Sequence, residues 1–209
     1  MKRLLVAGLF SMAPWLVQAQ AVTFQHSVKV AVEAVHSIDN DRQTPTLKYS
    51  VGYTRQLTSG RWMLEGSLGY INYFEREELS AFYYTFKGGR SQRFVADFLL
   101  HVNLLKSRRH ALRLGAGPSV WYQRNSLVND LSIELAPGYQ DITSVSFTRG
   151  YLHTANLGLN LRGEYEVAIT PRINVGARAG LVSNLLPANG REPLLGTLAT
   201  VGLSAGYRF

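Results

Sequence analysis

The sequence predicts an all-β fold, an eight-stranded antiparallel up-and-down transmembrane β-barrel over residues 20–209. Three observations carry this. Apolar and polar residues alternate with period two through eight segments. The connections between segments alternate between short and long. One strand face combines glycine with charge, and the other is apolar with aromatics near its ends.

The chain starts with Met1-Lys2-Arg3, an apolar run from Leu4 to Val17, and Val17-Gln18-Ala19. A basic start, an apolar middle and a small-residue cleavage site define a signal peptide at residues 1–19. A membrane anchor is the rival reading, but the run is short and broken by Ser11 and Pro14. The chain has no cysteine, which excludes lipoprotein anchoring, disulfides, thiolate metal sites and cysteine nucleophiles. The formal charge is +8, and loss of Lys2 and Arg3 leaves +6. Export argues against a nucleic-acid partner, so anionic lipid headgroups or lipopolysaccharide suit this basic balance better. No helical apolar run long enough to span a bilayer follows residue 19, so a membrane assignment rests on strands.

The segments follow in order. In the first, Val22, Phe24, Val28, Val30, Val32, Ala34 and Ile38 oppose Gln25, Ser27, Lys29 and Glu33. The second sets Leu47, Tyr49, Val51 and Tyr53 against Lys48, Ser50, Gly52 and Thr54. The third sets Trp62, Leu64, Leu68, Tyr70 and Phe74 against Glu65, Ser67 and Gly69. The fourth sets Phe94, Ala96, Phe98, Leu100 and Val102 against Arg93, Asp97, His101 and Asn103. The fifth sets Leu112, Leu114, Ala116, Val120 and Tyr122 against Arg113, Gly115, Gly117 and Ser119; its Pro118 requires an unpaired site or a bulge. In the sixth, Tyr151, Ala155, Leu157, Leu159, Leu161 and Tyr165 oppose Asn156, Gly158, Asn160, Arg162 and Glu164. In the seventh, Ile173, Val175, Ala177 and Leu181 oppose Asn174, Gly176, Arg178 and Gly180. The eighth sets Leu195, Val201, Leu203, Ala205, Tyr207 and Phe209 against Gly196, Thr200, Gly202, Ser204, Gly206 and Arg208. Each is long enough for a tilted membrane strand.

Tight turns are expected around Ser59-Gly60, at Lys106–His110 and at Thr170-Pro171. Longer connections are expected at Asp39–Pro45, Glu75–Arg90, Gln123–Gly150 and Ser183–Pro193. With both termini on the short-turn side, the short turns are periplasmic and the long loops extracellular.

Period two does not say which face is inside, and a soluble lipocalin-like barrel would alternate in the same way. Lipid outside is favoured by three features. The polar face is rich in glycine, which suits a crowded interior. The aromatics collect in two girdles, with Trp62, Tyr207 and Phe209 at the periplasmic side and Tyr49, Tyr70, Phe74, Phe94, Tyr122 and Tyr151 at the outer side. The polar exceptions His26, His36, Arg55, Asn72 and His153 also sit near the edges.

An interior of eight strands is about filled by side chains. Glu65, His101, Arg113, Glu164 and Arg178 fall at similar heights and should pair, since an unpaired buried charge is costly. Glu164 and Arg178 are expected to pair across the Thr170-Pro171 turn, and Glu33 with Lys48 across the first hairpin. Lys29, Arg93, Asp97 and Arg162 extend the network upward. A closed polar plug is expected, with a narrow selective pore as the alternative.

The five histidines have no metal-ligand spacing and no phosphate loop opens a helix, so no cofactor, metal or catalytic residue is assigned. A lipid A deacylase would carry His and Ser two residues apart on one face. His26-Ser27 and His36-Ser37 point to opposite faces, so an enzyme is not expected.

The signal peptide, the eight segments and the terminal Gly206-Tyr207-Arg208-Phe209 resemble small outer-membrane β-barrels of the OmpA/OmpX kind. The resemblance covers roughly residues 21–209. It implies the outer membrane of a Gram-negative envelope, a monomeric barrel and a structural, adhesion or surface-interaction role. It also implies recognition of Tyr207 and Phe209 by the barrel-assembly machinery. With no space for a peptidoglycan-binding domain after Phe209, the likeness is to barrel-only members.

An extracellular ligand would meet the loops. Glu75-Arg76-Glu77-Glu78, Ala81–Phe86, Leu131–Leu135 and Ile142–Phe147 are either strand continuations beyond the membrane or a sheet edge for a partner strand.

Overall fold

The computed structural model describes residues 25–38, 46–57, 61–79, 84–105, 107, 109–137, 142–185 and 197–209, without the side chains of 75–79 and 84–85. Every regular element among them is a strand. In chain order these are β1 (His26–Ser37), β2 (Thr46–Gln56), β3 (Trp62–Leu79), β4 (Tyr84–Asn103), β5 (His110–Leu135), β6 (Ile142–Ala168), β7 (Ile173–Asn184) and β8 (Leu198–Arg208). Each strand pairs antiparallel with its sequence neighbours, and β1 pairs with β8 from Ser27↔Arg208 to Ser37↔Leu198, closing the barrel. Closure leaves no free edge within the ring, which is what a backbone in hydrocarbon requires.

The alternation resolves into inside and outside. Val30, Val32, Val201 and Leu203 are exposed, whereas Lys29, Glu33, Glu164 and Arg178 are buried. A soluble barrel of the lipocalin type would show the reverse. Trp62, Tyr207 and Phe209 stand outward near the short turns, and Tyr49, Phe94, Tyr122 and Tyr151 stand outward toward the other end.

Two of the longer connections are strand continuations, one of the two readings of their β-forming runs. Gln123–Gly150 is largely strand: β5 and β6 have 26 and 27 residues and pair up to Leu135↔Ile142. Glu75–Arg90 is also mostly ladder, up to Leu79↔Tyr84. The β-forming runs in these stretches pair with each other after the chain has left the barrel wall. The Thr170-Pro171 turn is tight, with the amides of Ile169 and Thr170 donating to the Ile173 carbonyl at 3.0 and 3.1 Å. The signal peptide, Val22 and Phe24, Ser59-Gly60, Asp39–Pro45, most of Ser183–Pro193, Leu195 and Gly196 lie outside the described residues.

Pro118 sits where the β4–β5 ladder is interrupted, between Asp97↔Ser119 and Leu100↔Ala116. There the strands approach so closely that a Cβ on Gly117 would meet the Phe98 carbonyl, with its carbon at 3.0 Å. A proline lacking its amide and a glycine lacking its side chain fit that gap together.

Candidate functional site: an ionic lumen

The inward positions carry most of the ionisable groups of the barrel wall. Glu33, Lys48, Glu65, Asp97, His101, Arg162, Glu164 and Arg178 are buried, and Arg113 is half-buried. They form two knots, so the five residues expected at one height divide between them.

The first knot lies toward the short turns. Glu164 accepts from Arg178 Nη2 at 2.8 Å and from Lys29 Nζ at 2.8 Å, with Arg113 Nη1 at 3.8 Å. Glu166, two residues further along the same face of β6, binds Arg113 at 2.5 Å, pairs with Lys29, and lies 3.4 Å from Arg208. Asn174 Nδ2 and Ser204 Oγ supply further donors to Glu166 and Glu164 at 2.7 and 3.1 Å. Lys29 is on β1 and Glu164 on β6, so this pair crosses the lumen instead of running along the wall.

The second knot centres on Arg162. Its two terminal nitrogens reach Glu65 at 2.6 Å and Asp97 at 3.1 Å, spanning β6 to β3 and β4. Asp97 also accepts from Lys48 at 2.9 Å and from Ser119 Oγ at 2.6 Å. His101 Nε2 stands 3.2 Å from Glu65. Glu33 is 4.0 Å from Lys48 and accepts from Thr200 at 3.4 Å. The closer partner of Lys48 is therefore Asp97 on β4, and Glu33 is its second neighbour.

Space for these large side chains comes from the glycines opposite. A Cβ on Gly115 would lie 2.8 Å from the His101 ring carbon Cγ, and one on Gly69 2.8 Å from Lys48 Cε. At this density a side chain added on one strand displaces one from the next.

Sequence reasoning missed three features. Glu166 is a full member of the first knot, and period two from Glu164 points to it. Lys29 reaches down to Glu164 and Glu166 instead of extending the network upward, because its side chain is long enough to choose its height. The third is an inward apolar cap above the ions, made of Val35, Ile71, Tyr73, Val95, Trp121, Val182 and Leu198. Arg93 packs on this cap, lying 4.8 Å over the Trp121 ring and donating to Gln123 at 2.8 Å. A Cβ on Gly158 would lie 2.6 Å from Trp121 Cη2, so the missing side chain makes room for the indole.

A closed eight-stranded ring with an apolar exterior and an ionic interior defines a membrane-spanning barrel, because only a lipid surrounding makes that inversion favourable. Solved barrels share the architecture. Ail, the attachment invasion locus protein of Yersinia pestis, matches at TM-score 0.52 and 12% identity over 89% of this chain and 99% of that one. Neisserial surface protein A matches at 0.53 and 12% over 89% and 97%. A major outer membrane protein of Thermus thermophilus matches at 0.57 and 10% over 88% and 99%. At these identities the likeness is one of fold. No protein-family model and no curated protein matches the chain.

Proposed function

We propose that this chain is an integral outer-membrane barrel with a structural, adhesion or surface-interaction role, and that its lumen is closed. The observation that carries the closed lumen is the set of ion pairs between non-adjacent strands. Lys29–Glu164, Lys48–Asp97 and Arg162–Glu65 each reach across the lumen between strands that are not neighbours. An ion passing through would have to displace charged groups already compensated by each other, in a low-dielectric space where removing a partner is costly. The apolar cap above adds a second barrier. The apolar exterior and the neighbouring outer-membrane folds support the location. The reading assigns no catalytic role, and it places contact with the surroundings on the outer ends of β3–β6, which continue beyond the wall.

Planar-bilayer recording tests the lumen. The purified barrel inserted into a bilayer is expected to give no steady ionic current between −100 and +100 mV (roughly the range of membrane potentials). A reproducible unitary conductance would replace the closed reading with a narrow channel. Fractionation of expressing cells tests the location: the protein should remain in the outer-membrane fraction after detergent removal of the inner membrane.

A further inference from the structure

The outer surface of β3–β6 carries a basic site that the lumen does not explain. Tyr70, Phe94 and Tyr122 stand side by side on adjacent strands at the outer aromatic girdle. Beyond them on the same outward face arginines interleave with the last girdle aromatics, Phe74 and Tyr151, which share the row of Arg90 and Ser126. Arg124 lies across from Gln92 and His153, and Arg90 across from Ser126 in the next outward row. Arg149 is across from Val128, one row further out. Arg124 and Arg149 are exposed and Arg90 is half-exposed. Arg90 and Arg124 are on adjacent strands one row apart, a diagonal relation that puts their Cα atoms about 7–8 Å apart, and the Arg149 guanidinium reaches back to Ser126 in the row of Arg90.

These arginines are held by neutral groups. Arg90 Nε donates to Asn72 Oδ1 at 3.0 Å and its guanidinium lies 5.2 Å over Phe74. Arg149 Nη1 donates to the Gly88 carbonyl at 3.0 Å and to Ser126 Oγ at 3.1 Å. The Arg124 guanidinium lies 4.5 Å over the Tyr151 ring. Among the described residues no carboxylate lies within ion-pair distance of any of the three, whereas Lys29, Lys48, Arg113, Arg162 and Arg178 in the lumen each have one. Oriented guanidinium groups with unspent N–H donors and no described carboxylate partner are suited to a multivalent oxyanion. Their depth narrows the choice. They stand among the outermost lipid-facing aromatics, which is the level of headgroups.

We propose that Arg90, Arg124 and Arg149 form a binding site for a phosphate carried on the headgroup of a lipid in the leaflet at the long-strand end. The acyl chains of that lipid lie against Phe94 and the apolar wall below it. This rests on the membrane reading above, and the test separates the two.

Wild-type protein and Arg90→Gln/Arg124→Gln/Arg149→Gln are compared by native mass spectrometry in detergent micelles. The probes are diphosphoryl lipid A, the same lipid with its phosphates removed, and inorganic phosphate. Wild-type protein should hold diphosphoryl lipid A at least about tenfold more tightly than the dephosphorylated lipid, and the triple variant should lose about the same factor. Millimolar inorganic phosphate should not displace the lipid. Equal binding of the two lipids, or an unchanged triple variant, overturns the proposal, and displacement by phosphate overturns its lipid part. Insertion into phosphatidylcholine vesicles, read by protease resistance, reports separately on the membrane reading. Should the triple variant fail to insert, Arg124→Gln alone decides. Among the described residues Arg124 makes a ring contact and no hydrogen bond or ion pair, and its loss should weaken diphosphoryl lipid A about threefold. Arg55→Gln, exposed near the other end of the barrel, should leave binding unchanged.

Discussion

Glu164 and Glu33 are both buried carboxylates on the inner face, yet their surroundings differ. Glu164 receives Lys29, Arg178 and Ser204 within 3.1 Å, with Arg113 just beyond. Glu33 has one cation at 4.0 Å, and that cation is better placed for Asp97. Removing a partner from a fully engaged buried pair costs about 3–5 kcal/mol, because the remaining charges stay desolvated. Glu164→Gln should therefore lower the unfolding free energy in vesicles by about 3–5 kcal/mol. Glu33→Gln should lower it by only about 1 kcal/mol, the scale of an ordinary hydrogen bond. Urea titration followed by tryptophan fluorescence measures both. Equal losses would mean that the ranking by partner geometry is wrong.

At the scale of the element, β8 and β6 set a contrast. Leu203 lies mid-strand on β8, across from Val32 and Ala177, and is 70% exposed. If that exposure is to acyl chains, Leu203→Arg should cost about 2–4 kcal/mol, the penalty for a cation at the bilayer midplane. Thr143 is exposed at the far end of β6, a strand of 27 residues where about 9–11 suffice to cross. Thr143→Arg should be neutral within about 0.5 kcal/mol. The same vesicle titration compares them, and equal effects would remove the lipid from the account. The outer β5–β6 hairpin is not a simple extension of the wall. Its register shifts between Asn129 and Ser132, and Asp130 adopts φ 46° there, with its carboxylate accepting from Thr148 at 2.9 Å. Asp tolerates that left-handed conformation better than most residues, so the shift is written into the local sequence.

At the scale of the whole molecule, closure falls on the first and last strands, β1 and β8. The amide of Phe209 donates to the His26 carbonyl at 2.9 Å, and the two rings stack at 6.0 Å. Tyr207 and Phe209 are proposed to serve as the signal read by the barrel-assembly machinery, in addition to this contact. The two roles separate by experiment. Phe209→Ala should refold into pure lipid vesicles with a stability loss of no more than about 1 kcal/mol, the value of an aromatic pair. In cells it should accumulate in the outer membrane severalfold more slowly. A variant that is equally slow in both settings would assign Phe209 to closure alone.

The sequence by itself determined the number of strands, their antiparallel order and the two faces of each. These depend only on period two and on the residues at turns, which are local properties of the chain. It also placed Glu164 opposite Arg178, since a tight turn fixes the register of its own hairpin. The tertiary structure decided which charges meet across the lumen. Lys29 with Glu164, Lys48 with Asp97 and Arg162 with Glu65 join strands that are not neighbours, so their meeting depends on the curvature of the closed sheet and on how far each flexible side chain reaches. It likewise decided that Val35, Ile71 and Trp121, inward residues of three different strands, gather into one apolar cap, because only ring closure brings them to a common level.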